Sequence, residues 1–140
     1  MSERKKIEKE HDEILSKYIR IRDGGTCYCG HKNPDYQDKE GNTKPGWMEM
    51  VNGHLFSRSF DGTRWLELNC HCSCTKCNDE HERNESRYVR WFLMNYGQDK
   101  YDELLKKASV NFLPEIEWHL EKIEELNEKI MKLKEENFNL

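Results

Sequence analysis

The side chains best suited to chemistry fall in the run Asn69-x-His71-x-x-Cys74-x-x-Cys77-Asn78 and in a Gly53-His54 pair upstream of it. A Cys-x-x-Cys pair presents two thiolates from one tight turn, at a spacing that suits tetrahedral zinc. A purely structural zinc needs neither the amide that follows Cys77 nor a histidine at a fixed distance before the knuckle. Those extra groups fit hydrolysis of a phosphodiester. Water must lose a proton near neutral pH, for which imidazole is suited. Charge developing on the phosphate and the leaving oxygen calls for a divalent cation with open positions, Mg²⁺ or Mn²⁺. His54 is the candidate base, Asn69 the candidate orienting amide, and Asn78 a candidate ligand for the catalytic cation.

Cys74 and Cys77 require two further zinc ligands. Cys27 and Cys29, in Thr-Cys-Tyr-Cys-Gly, are the nearest upstream candidates; His31, Cys70, His71 and Cys72 are alternatives. Cys70 and Cys72 also read as small buried residues of a strand. In a chain that stays in the cytosol, six cysteines point to metal ligation rather than to disulfides.

The elements that must position these groups follow from punctuation and period. Ile7, Ile14 and Ile21 recur every seven residues, which predicts a helix over 4–22 ended by Asp23-Gly24-Gly25. Glycines and prolines divide 26–46 into a knuckle and a loop. Trp47 to Asn52 and Arg64 to Cys70 read as two strands joined by a turn at Phe60-Asp61-Gly62-Thr63. A helical pattern starts near Thr75 and runs through Tyr88, Trp91 and Phe92 to a stop at Gly97. A shorter helix covers 99–108, and a last one opens after Pro114. In that last helix Ile116, Ile123 and Ile130 share one heptad position with Asn137, and Leu126, Leu133 and Leu140 share another. The pattern suits a parallel coiled-coil homodimer through residues 114–140. It equally suits packing back onto residues 4–22. His119, on the same face as the leucines, then has an interface or packing role.

Hydrophobic residues make up 35% and charged residues 36% of the 140. That composition favours a small fold stapled by metal over one with a large apolar core. No apolar run approaches the roughly 18 residues of a membrane span, and the N-terminus lacks the apolar stretch of a secretory signal. A cytoplasmic protein is expected, in a bacterial host cell if the chain is phage-encoded. The net charge of -4 belongs to the tail: residues 114–140 hold eight acidic and four basic side chains, the remainder nineteen of each. A neutral body permits a local basic stripe but argues against tight non-specific DNA binding. Ser57, Arg58 and Ser59 follow His54, and Arg64 lies just beyond; arginines and hydroxyls are common phosphate contacts. Arg58 and Arg64 are therefore candidate DNA contacts. Arg83, Arg87 and Arg90 could track a backbone, or form a solvated face with Glu80, Glu82 and Glu85.

Taken together, Arg20-Ile21-Arg22-Asp23, Cys27, Cys29-Gly30, Gly53-His54, Ser57-Arg58, Thr63-Arg64-Trp65, the Asn69-to-Asn78 run and Asn84 resemble the HNH (ββα-metal) nucleases. Within them the likeness is to the NinG/Rap recombination endonucleases of lambdoid phages. It covers about residues 15–105 and leaves the last helix outside. The resemblance implies cleavage of branched DNA such as Holliday junctions, with His54 as general base and Asn69 as the motif amide. By similarity to recombination endonuclease VII, Asn78 is implied as a divalent-metal ligand. Gly53 stands where many HNH sites carry a second ligand. His81, one turn beyond Asn78, is then the first candidate for that role and Glu82 the second. The expected fold is α+β: a small ββα-metal core with a structural zinc knuckle over 26–113, an N-terminal helix in 1–25, and an amphipathic helix in 114–140. The competing expectation is a non-catalytic zinc module that binds DNA or a protein.

Overall fold

Helix α1 (Glu3–Arg22) starts at Ser2, whose side-chain oxygen accepts the Lys5 amide, satisfying one of the donors that every helix start leaves open. It ends where Gly24 and Gly25 take φ of 63° and 68°, a backbone region that glycine enters without strain. Gly25 is doubly required, because a Cβ there would sit 2.8 Å from Cβ of Trp47. The computed structural model describes residues 1–137. Over that span the chain is α+β, with six α-helices and two small antiparallel sheets.

The first sheet pairs β1 (Tyr36–Gln37) with β2 (Thr43–Lys44). The second pairs β3 (Val51–His54) with β4 (Cys70–Ser73), in the register Val51↔Ser73 to His54↔Cys70. Both strands of the second sheet lie downstream of where alternation places them. Gly46–Glu49 is a 3-10 turn, capped by the Met50 amide, which donates to the Trp47 carbonyl at 3.1 Å. Trp47 and Met50 are spaced at three, the 3-10 period, rather than at two. Arg64 closes a one-turn helix, α2 (Asp61–Arg64), and Glu67–Asn69 forms another 3-10 turn. All four residues of β4 are buried, so Cys-His-Cys-Ser carries no polar–apolar alternation to read.

The end of α1 closes the open edge of β4. The Asp23 carboxylate accepts the Cys72 amide at 2.8 Å, and the Arg22 guanidinium donates to the Cys70 carbonyl at 2.8 Å. Helix α3 (Thr75–Arg83) follows β4 directly. A break at Asn84 separates it from α4 (Ser86–Tyr96), so Arg83 does not continue the face of Arg87 and Arg90. Gly97, with φ 89°, joins α4 to α5 (Gln98–Ala108). Leu55, Tyr88, Phe92 and Leu104 form the core between β3, α4 and α5.

Helix α6 (Ile116–Glu136) packs along α1 and runs in the same direction. Arg4 donates to the Pro114 carbonyl, His11 meets His119, and Leu15 and Ile19 share a cluster with Leu126. The buried residues of α6 are His119, Ile123, Leu126 and Ile130. The heptad seam is thus covered by α1 within one chain, and His119 has its packing role there. Leu140, the last leucine of the seam, lies outside the described residues. Truncating Leu126 or Ile19 to alanine would cost about 2–5 kcal/mol. No helix among the described residues is long and apolar enough to cross a membrane.

Candidate metal centre and histidine cleft

Cys27, Cys29, Cys74 and Cys77 converge, with their sulfurs all within 4.8 Å of one another. Four thiolates around zinc at about 2.3 Å sit about 3.8 Å apart, so the cluster is compatible with a structural zinc site. Two local features make the short Cys-x-Cys work. The Gly30 amide closes a turn on the Cys27 carbonyl at 2.8 Å, with Gly30 at φ 94°. The amides of Cys29 and His31 then point at the Cys27 and Cys29 sulfurs, each at 3.4 Å. As thiols, Cys27 is pushed up by burial and Cys77 up to about 11, also mainly by burial. Burial would raise Cys29 too, but the His31 amide and the neighbouring thiols hold it below its ordinary value. A cation that replaces the protons relieves this crowding. Of the alternative ligands, His31 is exposed and bonded to Asn33, while Cys70 and Cys72 are fully buried.

The cluster pins the start of α3: Cys74 is its N-cap, Cys77 lies in its first turn, and the Asn78 amide donates to the Cys74 carbonyl at 3.0 Å. Asn78 and His81 thereby face a cleft of about 630 Å³ that His54 lines from the end of β3, with Arg58 from the loop beyond it. The cleft falls within the usual ligand-site range of about 300–1,000 Å³.

His54 is held by a backbone carbonyl. Its Nε2–H donates to the Arg64 carbonyl at 3.1 Å, which leaves the lone pair on Nδ1. Burial lowers its pKa, opposed by the Arg64 carbonyl and Asp12. The ring is consequently neutral at neutral pH and able to accept a proton.

Asn69 is fully buried beneath this loop, at the turn just before β4 rather than on the strand. Its Oδ1 accepts the Phe56 amide at 2.8 Å, and its Nδ2 donates to the Phe56 and Thr63 carbonyls at 3.0 and 3.1 Å. One amide therefore clamps both ends of the segment that follows His54. The Arg64 side chain is engaged elsewhere: it pairs with Asp12 at 2.6 Å and lies over the Trp65 ring. Arg58 stays largely exposed, 3.7 Å from the same Asp12 carboxylate.

His81 donates from Nε2 to the Leu55 carbonyl at 2.8 Å, and its Nδ1 is buried with no partner. Glu82 and Glu85 also line the cleft, and neither has an ion-pair partner among the described residues. Arg87, by contrast, pairs with Glu80 at 3.4 Å beside Cys77.

Two supports, Tyr88 and Tyr28, carried no motif signal. Tyr88 donates to the Gly53 carbonyl at 2.7 Å and accepts from His71 Nδ1 at 2.8 Å, fixing the residue before His54 from α4. Tyr28 stacks on Tyr88 at 4.3 Å and reaches the Cys77 carbonyl, which ties the knuckle to the same helix. Gly53 allows the close ladder, since a Cβ there would meet Ser73 Oγ at 2.0 Å. The aromatic spacing of 88, 91 and 92 announced packing, and nothing in it distinguishes a tyrosine whose hydroxyl is needed. Comparison of the chain with family models, curated proteins and solved structures finds no significant match.

Proposed function

We propose that this protein is a metal-dependent DNA endonuclease of the HNH (ββα-metal) type, with zinc in a structural role. The observation that carries this reading is the meeting of His54, Asn78 and His81 on one cleft, with the His54 ring fixed by a backbone carbonyl. In the reaction, Nδ1 of His54 takes a proton from water as the water oxygen bonds to phosphorus and the P–O3′ bond breaks. Asn69 keeps the loop in place, and Arg58 meets a non-bridging phosphate oxygen.

The donor set fits a hard divalent cation. Asn78 offers an amide oxygen, His81 has a nitrogen without a partner, and Glu82 adds a carboxylate. Two unpaired carboxylates would repel a phosphate unless a cation lay between them. Bound at Asn78 and His81, Mg²⁺ or Mn²⁺ would supply positive charge to the phosphate and the leaving 3′ oxygen. The likeness to NinG/Rap enzymes supports branched DNA, such as Holliday junctions, as substrate and recombination as the setting.

The test is cleavage of plasmid, single-stranded and four-way-junction DNA with Mg²⁺ or Mn²⁺, by the parent and by His54→Ala. Cutting by the parent, lost in a variant that keeps its zinc and fold, is the expected result. A variant that cuts as well as the parent would sink the assignment. A non-catalytic zinc module is the second reading. The commitment of His81 Nε2 to Leu55 favours it, and binding without cutting in every metal would support it.

A further inference from the structure

Phe60 breaks a local rule for no structural return. It is the residue that caps the N-terminus of α2, a place where Ser, Thr, Asp or Asn normally accepts an amide, and its side chain makes no capping bond. The side chain is not absorbed by the core either, since 46% of the residue is exposed. Phe56, the other phenylalanine lining the cleft, packs against Tyr101 with ring centroids 5.4 Å apart. Misfits of this kind tend to mark functional positions.

The backbone of Phe60 is nonetheless firmly held. Its amide donates to the Ser57 carbonyl at 2.9 Å, and its carbonyl accepts the amides of Thr63 and Arg64 at 3.2 and 3.1 Å. The same short helix delivers the Arg64 carbonyl to His54. An exposed aromatic ring thus stands on a rigid turn that also positions the candidate base, and it lines the same cleft. Arg58 and the Ser57 and Ser59 hydroxyls, 3.1 Å apart, are exposed on that turn. A basic, hydroxyl-bearing turn beside an open aromatic face matches the two halves of a nucleotide: charge for the phosphate, a π-face for the base.

Resting on the nuclease reading above, we infer that Phe60 stacks on an unpaired base beside the scissile phosphate, so that the cleft selects single-stranded or splayed DNA over intact duplex. In a duplex both faces of an internal base are covered by its neighbours, and a ring at the cleft has none to receive it. An unpaired base offers that face, and stacking of this kind tolerates any sequence.

The zinc-loaded full chain tests this with oligonucleotides carrying 2-aminopurine, single-stranded or duplexed, and without added Mg²⁺ or Mn²⁺ so that binding is read apart from cutting. The parent and Phe60→Trp should quench 2-aminopurine in the single strand, and Phe60→Ala should not. The preference for single strand over duplex, as a ratio of Kd values, should fall roughly 5- to 100-fold in Phe60→Ala. Thermal melting of each variant checks that the fold is kept. An unchanged ratio in Phe60→Ala, or no quenching by the parent, overturns the assignment. His54→Ala separates the two ideas. If it cuts like the parent, the nuclease reading fails, and its own quenching still reports on Phe60. If it is inactive while Phe60→Ala keeps the parental ratio, only the stacking role is lost.

Discussion

His54 donates from Nε2 to the backbone carbonyl of Arg64 at 3.1 Å, while the Arg64 guanidinium pairs with Asp12 at 2.6 Å. One residue thereby orients the candidate base with its main chain and anchors that main chain to α1 with its side chain. A half-buried, bidentate, charge-assisted pair of this kind is stronger than a neutral hydrogen bond. Aspartate 12 thus reaches the cleft indirectly, across 52 residues of sequence.

On the nuclease reading, the pH dependence of cleavage follows from the His54 environment. Burial disfavours the imidazolium and lowers the pKa below 6.5, and Asp12 partly offsets the shift. A general base must be deprotonated, so kcat/KM should stay flat as pH falls through neutrality and decline only below about pH 6.5. Asp12→Asn removes the offset and should move the acid limb to still lower pH. A limb at or above pH 6.5 in the parent would contradict a buried, neutral base.

Asn69→Ala should destabilise the fold, because three backbone groups lose their partner at once. Buried polar groups left unpaired cost about 1–3 kcal/mol each, and part of that would be recovered by water, giving a loss of about 3 kcal/mol in urea unfolding. Asn69→Asp is the sharper variant. It keeps an acceptor for the Phe56 amide and turns a carboxylate toward the Phe56 and Thr63 carbonyls. It should be no better than alanine. A variant as stable as the parent would mean that the clamp is not what holds the loop.

How much of this was readable beforehand depends on what each residue had to announce. The convergence of the four cysteines was legible because ligand type and spacing are local chemistry, and the same spacing put His54 and Asn78 on one cleft, with Asn69 buried beneath its loop. The long helices were legible because their apolar residues repeat; the break at Asn84 and the one-turn α2 were not. The strands were misplaced because β4 is buried on every residue and Trp47 and Met50 follow a 3-10 period. Arg64 was read as a phosphate contact from its type alone, whereas its side chain pairs with Asp12 and its carbonyl holds His54. Carbonyl roles leave no trace in residue identity. The heptads of the last helix could not say whether the partner lay in the same chain; in this structure their buried residues pack along α1.

Zinc content should follow the cysteine quartet. The purified chain should carry one zinc by elemental analysis, and Cys74→Ser or Cys77→Ser should lose it along with the start of α3. Because structural zinc is folding free energy, a strong chelator should lower Tm sharply and release the metal in the same transition. Cys70→Ala, buried but outside the quartet, should keep full zinc occupancy. Loss of zinc in Cys70→Ala at normal stability would reassign the ligand set.

The acid stability of the chain should be set in part by His11 and His119. Their Nδ1 atoms lie 2.8 Å apart in the α1–α6 interface, with His11 stacked on Trp65 at 4.3 Å. One ring must donate and the other accept, so the pair cannot hold two charged rings, and burial disfavours even one. Burial, then the neighbouring His119 and the cations Arg64 and Lys122, lower His11 to about 3; burial also lowers His119, opposed by Glu8 and Asp12 and assisted by Arg4 and Arg64. In the unfolded chain both titrate near 6.5. Between those limits the unfolded state binds more protons, so stability rises with pH there. The contribution is fully present above about pH 6.5 and is lost as pH falls toward 3. The double variant His11→Leu, His119→Leu removes the titrating pair and should unfold in urea with a flatter dependence on pH between 6.5 and 4 than the parent. Equal slopes would show that the pair is protonated without disturbing the two helices.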